Sequence, residues 1–88
     1  SLSSAFPNPT RGGVALAVTL PREADVRMSV LDIQGREVWS APMRHYGAGR
    51  WSLDWDGMTT RGMSRTGVYL AIVRLGRESL LRRFAVVR

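Results

Sequence analysis

Val14-Ala15-Leu16-Ala17-Val18-Thr19-Leu20 sets Val14, Leu16, Val18 and Leu20 on one face of an extended chain, with Ala15, Ala17 and Thr19 on the other. Successive side chains of a strand point to opposite faces, so this period of two predicts a half-buried β-strand. The same period recurs on the C-terminal side. Val26, Met28 and Val30 alternate with Arg27 and Ser29, and Trp51, Leu53 and Trp55 alternate with Ser52 and Asp54. None of these runs is long enough for a typical helix. The apolar members Val14, Leu16, Val18, Val26, Met28, Val30, Trp51, Leu53 and Trp55 are the expected core.

Turn residues separate the runs. Pro21–Asp25 links the first two, and Asp32-Ile33-Gln34-Gly35 reads as a tight hairpin. There Asp32 accepts backbone bonds and Gly35 takes the left-handed position. Arg36–Ala41 is a short strand stopped by Pro42, and Tyr46-Gly47-Ala48-Gly49 breaks the next connection. Val68–Val73 is apolar on both faces, which predicts a central strand covered on both sides. Gly76 makes a tight link to Leu80–Val87, where Arg82 and Arg83 fall on opposite faces and leave the register open. Short strands with turns at this spacing predict an all-β sandwich or small barrel.

A chain of 88 residues with 44% hydrophobic content makes one globular domain. A domain of that size buries only roughly 60–65% of the surface its unfolded chain exposes. No run approaches the roughly 18 apolar residues of a spanning helix. With no signal peptide and no initial Met, the chain reads as a domain of something longer, with Ser1-Leu2-Ser3-Ser4-Ala5 as linker remnant and residues 6–88 as the domain. Cysteine is absent, which rules out thiol catalysis, zinc-thiolate sites and iron–sulfur clusters. The net charge is +6 and all thirteen basic residues are arginine. Solvated strand faces account for an even spread of arginine; the sharper reading is an anionic partner such as an acidic membrane or glycolipid surface. Only Arg82 and Arg83 adjoin, and aromatics do not interleave with basic residues, so no nucleic-acid partner is expected.

Catalytic constellations are missing. His45 is the sole histidine and lacks a sequence partner for a triad or metal site. Asp54 and Asp56 lack the further acidic positions of a calcium loop, so Asp56-Gly57 is expected to turn the chain, with Asp56 capping backbone N–H groups. Nothing matches a nucleophile elbow or phosphate loop. Three tryptophans could stack on sugars, with Trp39 the expected exposed ring, while Trp51 and Trp55 are accounted for by core packing. No enzyme activity, cofactor or metal is expected.

Several short strings carry a family resemblance. Phe6-Pro7-Asn8-Pro9-Thr10 opens the domain, and Leu20-Pro21 closes its first long strand. The hairpin Val30–Val38 with Asp32 and Gly35, then Trp55-Asp56-Gly57, Gly62 and Gly67-Val68-Tyr69 follow in order. Over residues 6–88 this resembles the C-terminal sorting domain of proteins exported by the type IX secretion system. It is similar also to the immunoglobulin-like domain of the flagellar hook-capping protein FlgD. The resemblance implies an immunoglobulin-like antiparallel β-sandwich of about seven strands. It also implies a non-catalytic C-terminal sorting and attachment domain of a secreted or cell-surface protein, exported through the periplasm. The partners implied are an upstream cargo domain of the same polypeptide and the outer-membrane secretion machinery. Recognition is expected at the terminal strand, through Arg82, Arg83, Phe84 and Arg88. The family usually has Lys in that stretch, and the spacing of Trp55-Asp56-Gly57 and Gly62 leans toward the hook-capping variety. The alternative is an accessory immunoglobulin-like module, in a hook cap or beside a catalytic domain, and less so a sugar-binding module.

Overall fold

A computed structural model describes all residues from Ser1 to Arg88. Its regular structure is entirely β: β1 (Val14–Leu20), β2 (Ala24–Asp32), β3 (Glu37–Ser40), β4 (Arg44–Tyr46), β5 (Gly49–Trp55), β6 (Met58–Thr59), β7 (Gly62–Met63), β8 (Gly67–Leu75) and β9 (Glu78–Val86). All strand pairs are antiparallel. One layer pairs β1 with β5; the larger layer runs β3-β2-β8-β9, with β4 also on β2. Strands β6 and β7 form a small separate hairpin. This is the immunoglobulin-like sandwich. No helix is long and apolar enough to cross a membrane.

The alternating runs close on one another as their period demands. Val14, Leu16, Val18, Leu20, Leu53 and Trp55 from the smaller layer meet Val26, Met28, Val30, Tyr69, Ala71, Val73, Phe84 and Val86 from the larger. Full burial of one such aliphatic or aromatic side chain is worth about 1.5–3 kcal/mol, against a backbone entropy cost of about 1–2 kcal/mol per residue. The Asp32–Gly35 hairpin forms as expected. Gly35 sits at φ +86°, and Asp32 Oδ1 accepts the Gln34 and Arg36 N–H groups at 2.9 Å each. The Arg36 backbone bond is the chief cause holding the Asp32 carboxyl below its ordinary pKa, with the Arg36 side chain adding to it.

Several expectations are corrected. Trp51 lies on the inward row but is 40% exposed; its ring packs edge-on against Tyr46 of the short β4 at 5.3 Å. Trp39 is half-buried against the core rather than the exposed ring. Strand β8 is central, between β2 and β9, but its outward Val68, Leu70 and Ile72 are only half-buried. Ser1–Ala5 is not a loose linker. Leu2 and Ala5 are buried, and this arm exchanges backbone bonds with β1, Ser3 N–H to Ala17 O and Thr19 N–H to Ser1 O, each 2.9 Å. The register of β9 is resolved: Arg82 shares the inward row with Leu80, Phe84 and Val86, while Arg83 points outward with Leu81.

Candidate functional site at the terminal strand

Gly76, at φ +59°, turns the chain from β8 into β9, which then pairs with β8 from Glu78 to Val86. Beyond β9 no further strand continues the sheet, and an edge of this kind offers free backbone groups to any extended partner. Here the N-terminal arm occupies it. Phe6 bridges Ala15 on β1, the Pro7–Pro9 segment crosses between layers, and Thr10 bridges Val86 on β9. Thr10 N–H donates to Ala85 O at 2.9 Å, and Val87 N–H donates to Thr10 O at 2.8 Å. The exposed Asn8 accepts the Ala85 N–H on its Oδ1 at 3.0 Å and gives its Nδ2 to Arg83 O at 3.4 Å. A side-chain amide has the donor and acceptor of a peptide unit, so Asn8 substitutes for a missing strand residue.

The arginines singled out at this strand divide into clamps and one free group. Arg82 leaves the inward row opposite Ala71 and donates to Leu2 O at 2.8 Å and Ser3 O at 3.2 Å, tying the arm to the larger layer. Arg88 donates through Nε to Ser64 O at 2.8 Å, through Nη2 to Ser64 Oγ at 2.9 Å, and through Nη1 to Arg11 O at 2.6 Å. Phe84 is 1% exposed. Arg83 alone of the four points into solvent without using its guanidinium inside the chain. The structure therefore brings Arg82, Phe84 and Arg88 into the fold's own closure and leaves Arg83 outside.

The motif residues converge on that closure. Trp55, Tyr69 and Phe84 form one aromatic cluster, with ring centroids 5.8–6.0 Å apart in each pair. Such pairs add about 0.5–1.5 kcal/mol beyond area burial. Trp55 Nε1–H is satisfied by Met58 O at 2.9 Å, and Tyr69 donates its hydroxyl to Arg65 O at 2.8 Å, a tyrosine corner at the start of β8. Asp56 Oδ1 accepts the Met58 N–H at 2.9 Å, the backbone cap expected of it. Gly57 is at φ +87°, and a Cβ there would lie 2.8 Å from the Gly12 carbonyl carbon. Gly62, at φ +103°, turns the β6–β7 hairpin. Gly67 has no positive φ and has room for a Cβ, so neither backbone angle nor crowding requires glycine there.

Thr10 and Ser64 were missed as closure residues, and both are buried. Thr10 Oγ1 donates to Gly13 O at 2.6 Å and accepts the Gly12 N–H at 3.1 Å. The string Thr10-Arg11-Gly12-Gly13 carries that turn signal, since a threonine hydroxyl can bond the backbone two residues on. At the opposite end of the molecule His45 Nδ1 lies 2.9 Å from Asp25 Oδ1 and Nε2 lies 3.8 Å from Glu23 Oε2. The hydrogen bond to Asp25 raises the His45 pKa, against a smaller opposing effect of desolvation.

No curated protein matches this sequence. Among solved structures, the fold is similar to part of dimeric latent PorU from Porphyromonas gingivalis, with TM-score 0.69 and 21% identity. That likeness covers 94% of this chain and 9% of PorU. It is similar also to part of PorZ from Porphyromonas gingivalis, with TM-score 0.68 and 24% identity, over 96% of this chain and 11% of PorZ. At these identities the likeness establishes the fold, and the chain spans about a tenth of either protein. The sequence profile of the secretion system C-terminal sorting domain matches residues 4–87. That match takes in Asn8, the aromatic cluster and all of β9, and the chain belongs to the family of secretion system C-terminal sorting domains.

Proposed function

We propose that this chain is the non-catalytic C-terminal sorting and attachment domain of a larger protein carried to the cell surface by type IX secretion. The family match over residues 4–87 is the observation that carries this reading. PorZ, described as a surface component of the type IX system, supports the route. In PorU and PorZ the similar part is a small fraction of a much longer chain, which fits a label appended to cargo. An upstream cargo domain and the outer-membrane machinery are then the partners, with the periplasm as the compartment crossed.

Geometry narrows what the machinery reads. Phe84 is in the core and the guanidinium of Arg88 is engaged by Ser64 and Arg11, so recognition falls on the surface of the folded sandwich rather than on a loose tail. Of Arg82, Arg83, Phe84 and Arg88, Arg83 remains as the one exposed side chain that makes no bond within the chain. The test is a reporter fused ahead of residues 1–88 in a type IX-competent host. Surface delivery is expected with the intact domain and periplasmic retention without it. Deleting Phe84–Arg88 removes core residues Phe84 and Val86, so circular dichroism should show unfolding together with retention. A reporter that reaches the surface equally well without the domain, or one retained although its domain is folded, overturns the proposal.

A further inference from the structure

The outward face of the larger layer carries an apolar strip among polar residues. Adjacent rows across β2, β8 and β9 place Leu31 beside Leu70 and Arg83, Ser29 beside Ile72 and Leu81, and Arg27 beside Arg74 and Ser79. Val68, Leu70 and Ile72 are half-buried, and Leu81 is 50% exposed. A strand apolar on both faces is characteristic of a sheet covered on both sides, whereas a wetted antiparallel face normally carries polar residues. Nothing in this chain covers the face.

Its rim is basic and underpaired. Arg27 stands directly opposite Arg74, a cross-strand placement in which like charges repel. Glu37 reaches Arg27 only at 3.9 Å, and the Arg27 Nε is buried without a hydrogen-bond partner. Neither Arg74 nor Arg83 forms an ion pair. Asp25, the other carboxylate on this face, is already bound to His45 at 2.9 Å. A groove of about 400 Å³ is lined by Arg27, Arg74, Glu37, Ile72 and Leu31, so two arginines face one carboxylate in it.

We propose that this face docks a protein partner presenting an apolar strip flanked by carboxylates, met during export. The partner assignment rests on the sorting reading; the surface itself does not. Charge selects the occupant. A symmetric second copy would set Arg27, Arg74 and Arg83 against their own kind, while carboxylates would convert the Arg27–Arg74 repulsion into a pair of charge-assisted bonds. Exposed arginine around an apolar centre is also the composition typical of protein interfaces.

The experiment places a photo-crosslinking residue at Ile72, or at Thr19 on the outward face of β1, in the reporter fusion described above. Products are mapped by mass spectrometry and surface delivery is scored in parallel. Arg74→Glu is the informative variant: it sets a carboxylate opposite Arg27, so the chain should melt at or above the parent temperature while docking is lost. Arg83→Glu is the second variant and alters no internal bond. Cross-linking from Ile72 should exceed that from Thr19 by about tenfold, join a segment bearing Asp or Glu, and fall about tenfold in each variant. A product that is a second copy of the chain, a lipid adduct, no product, or yields unchanged by both substitutions overturns the docking proposal while delivery persists. If the parent fusion is not delivered at all, the sorting reading falls, and the partner assignment with it.

Discussion

Trp55 and Trp51 stand on the same inward row of β5, yet the first is 2% exposed and the second 40%. Their strands cannot explain the difference, because both pair with inward residues of β1, Val14 and Val18. The explanation lies in what closes each end of the sandwich. Around Trp55 the chain returns repeatedly: Tyr69 and Phe84 supply rings, Gly57 brings its backbone against Gly12, and Arg88 ties Ser64 to Arg11. Around Trp51 there is Tyr46 on a three-residue strand, and the indole N–H is satisfied by Gly47 O at 2.9 Å. Inward parity is a local property of a strand. Burial needs cover from neighbouring chain, and Trp55 has it where Trp51 does not.

The sharpest way to break this comparison is truncation of each ring. Trp55→Ala should lower stability by about 3–5 kcal/mol, the cost of removing a large aromatic from a closed core. Trp51→Ala should lose about 1 kcal/mol, close to the worth of its single aromatic contact. Urea titration of both variants against the parent measures the difference. Equal losses would mean that the two ends are equally closed.

Backbone approach at the closed end gives the next effect. Gly57→Ala adds a Cβ 2.8 Å from the Gly12 carbonyl carbon at a φ of +87°, and the atoms it meets are backbone. A cost of about 2–3 kcal/mol is expected, since a left-handed conformation alone costs a residue other than glycine on the order of 1 kcal/mol or more. Gly47→Ala, at the open end, meets nothing within 4 Å and has no positive φ. It should be neutral or slightly stabilising by the loss of unfolded-chain freedom. Thermal melts of the pair check this, and equal melting temperatures would mean that a side chain at Gly57 is accommodated without cost.

The same contrast marks how far the sequence could be read. Alternation in Val14–Leu20, Val26–Val30 and Leu53–Trp55 identifies the strands and the core rows, because period and burial coincide wherever two layers overlap. It fails at Trp51, whose ring leans on Tyr46 of β4, an element too short to show any period. Ser1–Ala5 is illegible for another reason: it is held through backbone bonds to β1 and by Arg82, and such bonds leave little trace in residue type. Arg82 and Arg88 look like surface arginines until the fold brings Leu2, Ser3, Ser64 and Arg11 within reach. Of the closure, the burial of Trp55 and the Asp56 cap were legible; the place of Phe84 in the aromatic cluster and the clamps depend on contacts between distant parts of the chain.

Tyr69→Phe sharpens the comparison without creating a cavity. It removes the hydroxyl bond to Arg65 O and keeps the ring in the aromatic cluster. About 1 kcal/mol should be lost, the usual net worth of one such hydrogen bond. Tyr46→Phe at the open end should fall below that in the same calorimetric comparison. A larger loss at Tyr46 would place the stronger corner at the wrong end.

The smallest effect is electrostatic and belongs to the open end. His45 is exposed and bonded to Asp25, with Glu23 nearby, and that hydrogen bond raises its pKa in the folded chain. A raised folded pKa means that the fold binds the proton more tightly than the unfolded chain does. The resulting stability is fully present below the unfolded histidine value of about 6.5 and is lost as pH rises through the folded value. Asp32 does not interfere. Its pKa is lowered, so its contribution is present above the ordinary carboxylate value and declines only as pH falls through the folded one. The urea midpoint of the parent should therefore drop slightly between about pH 6 and about pH 8, whereas His45→Gln should be flatter over the same interval. Added salt should shrink the parent's slope, because an exposed pair is screened. A parent chain that gains stability over that interval by an amount absent from His45→Gln would mean that histidine is held in its neutral form, and that Asp25 does not act as its partner in solution.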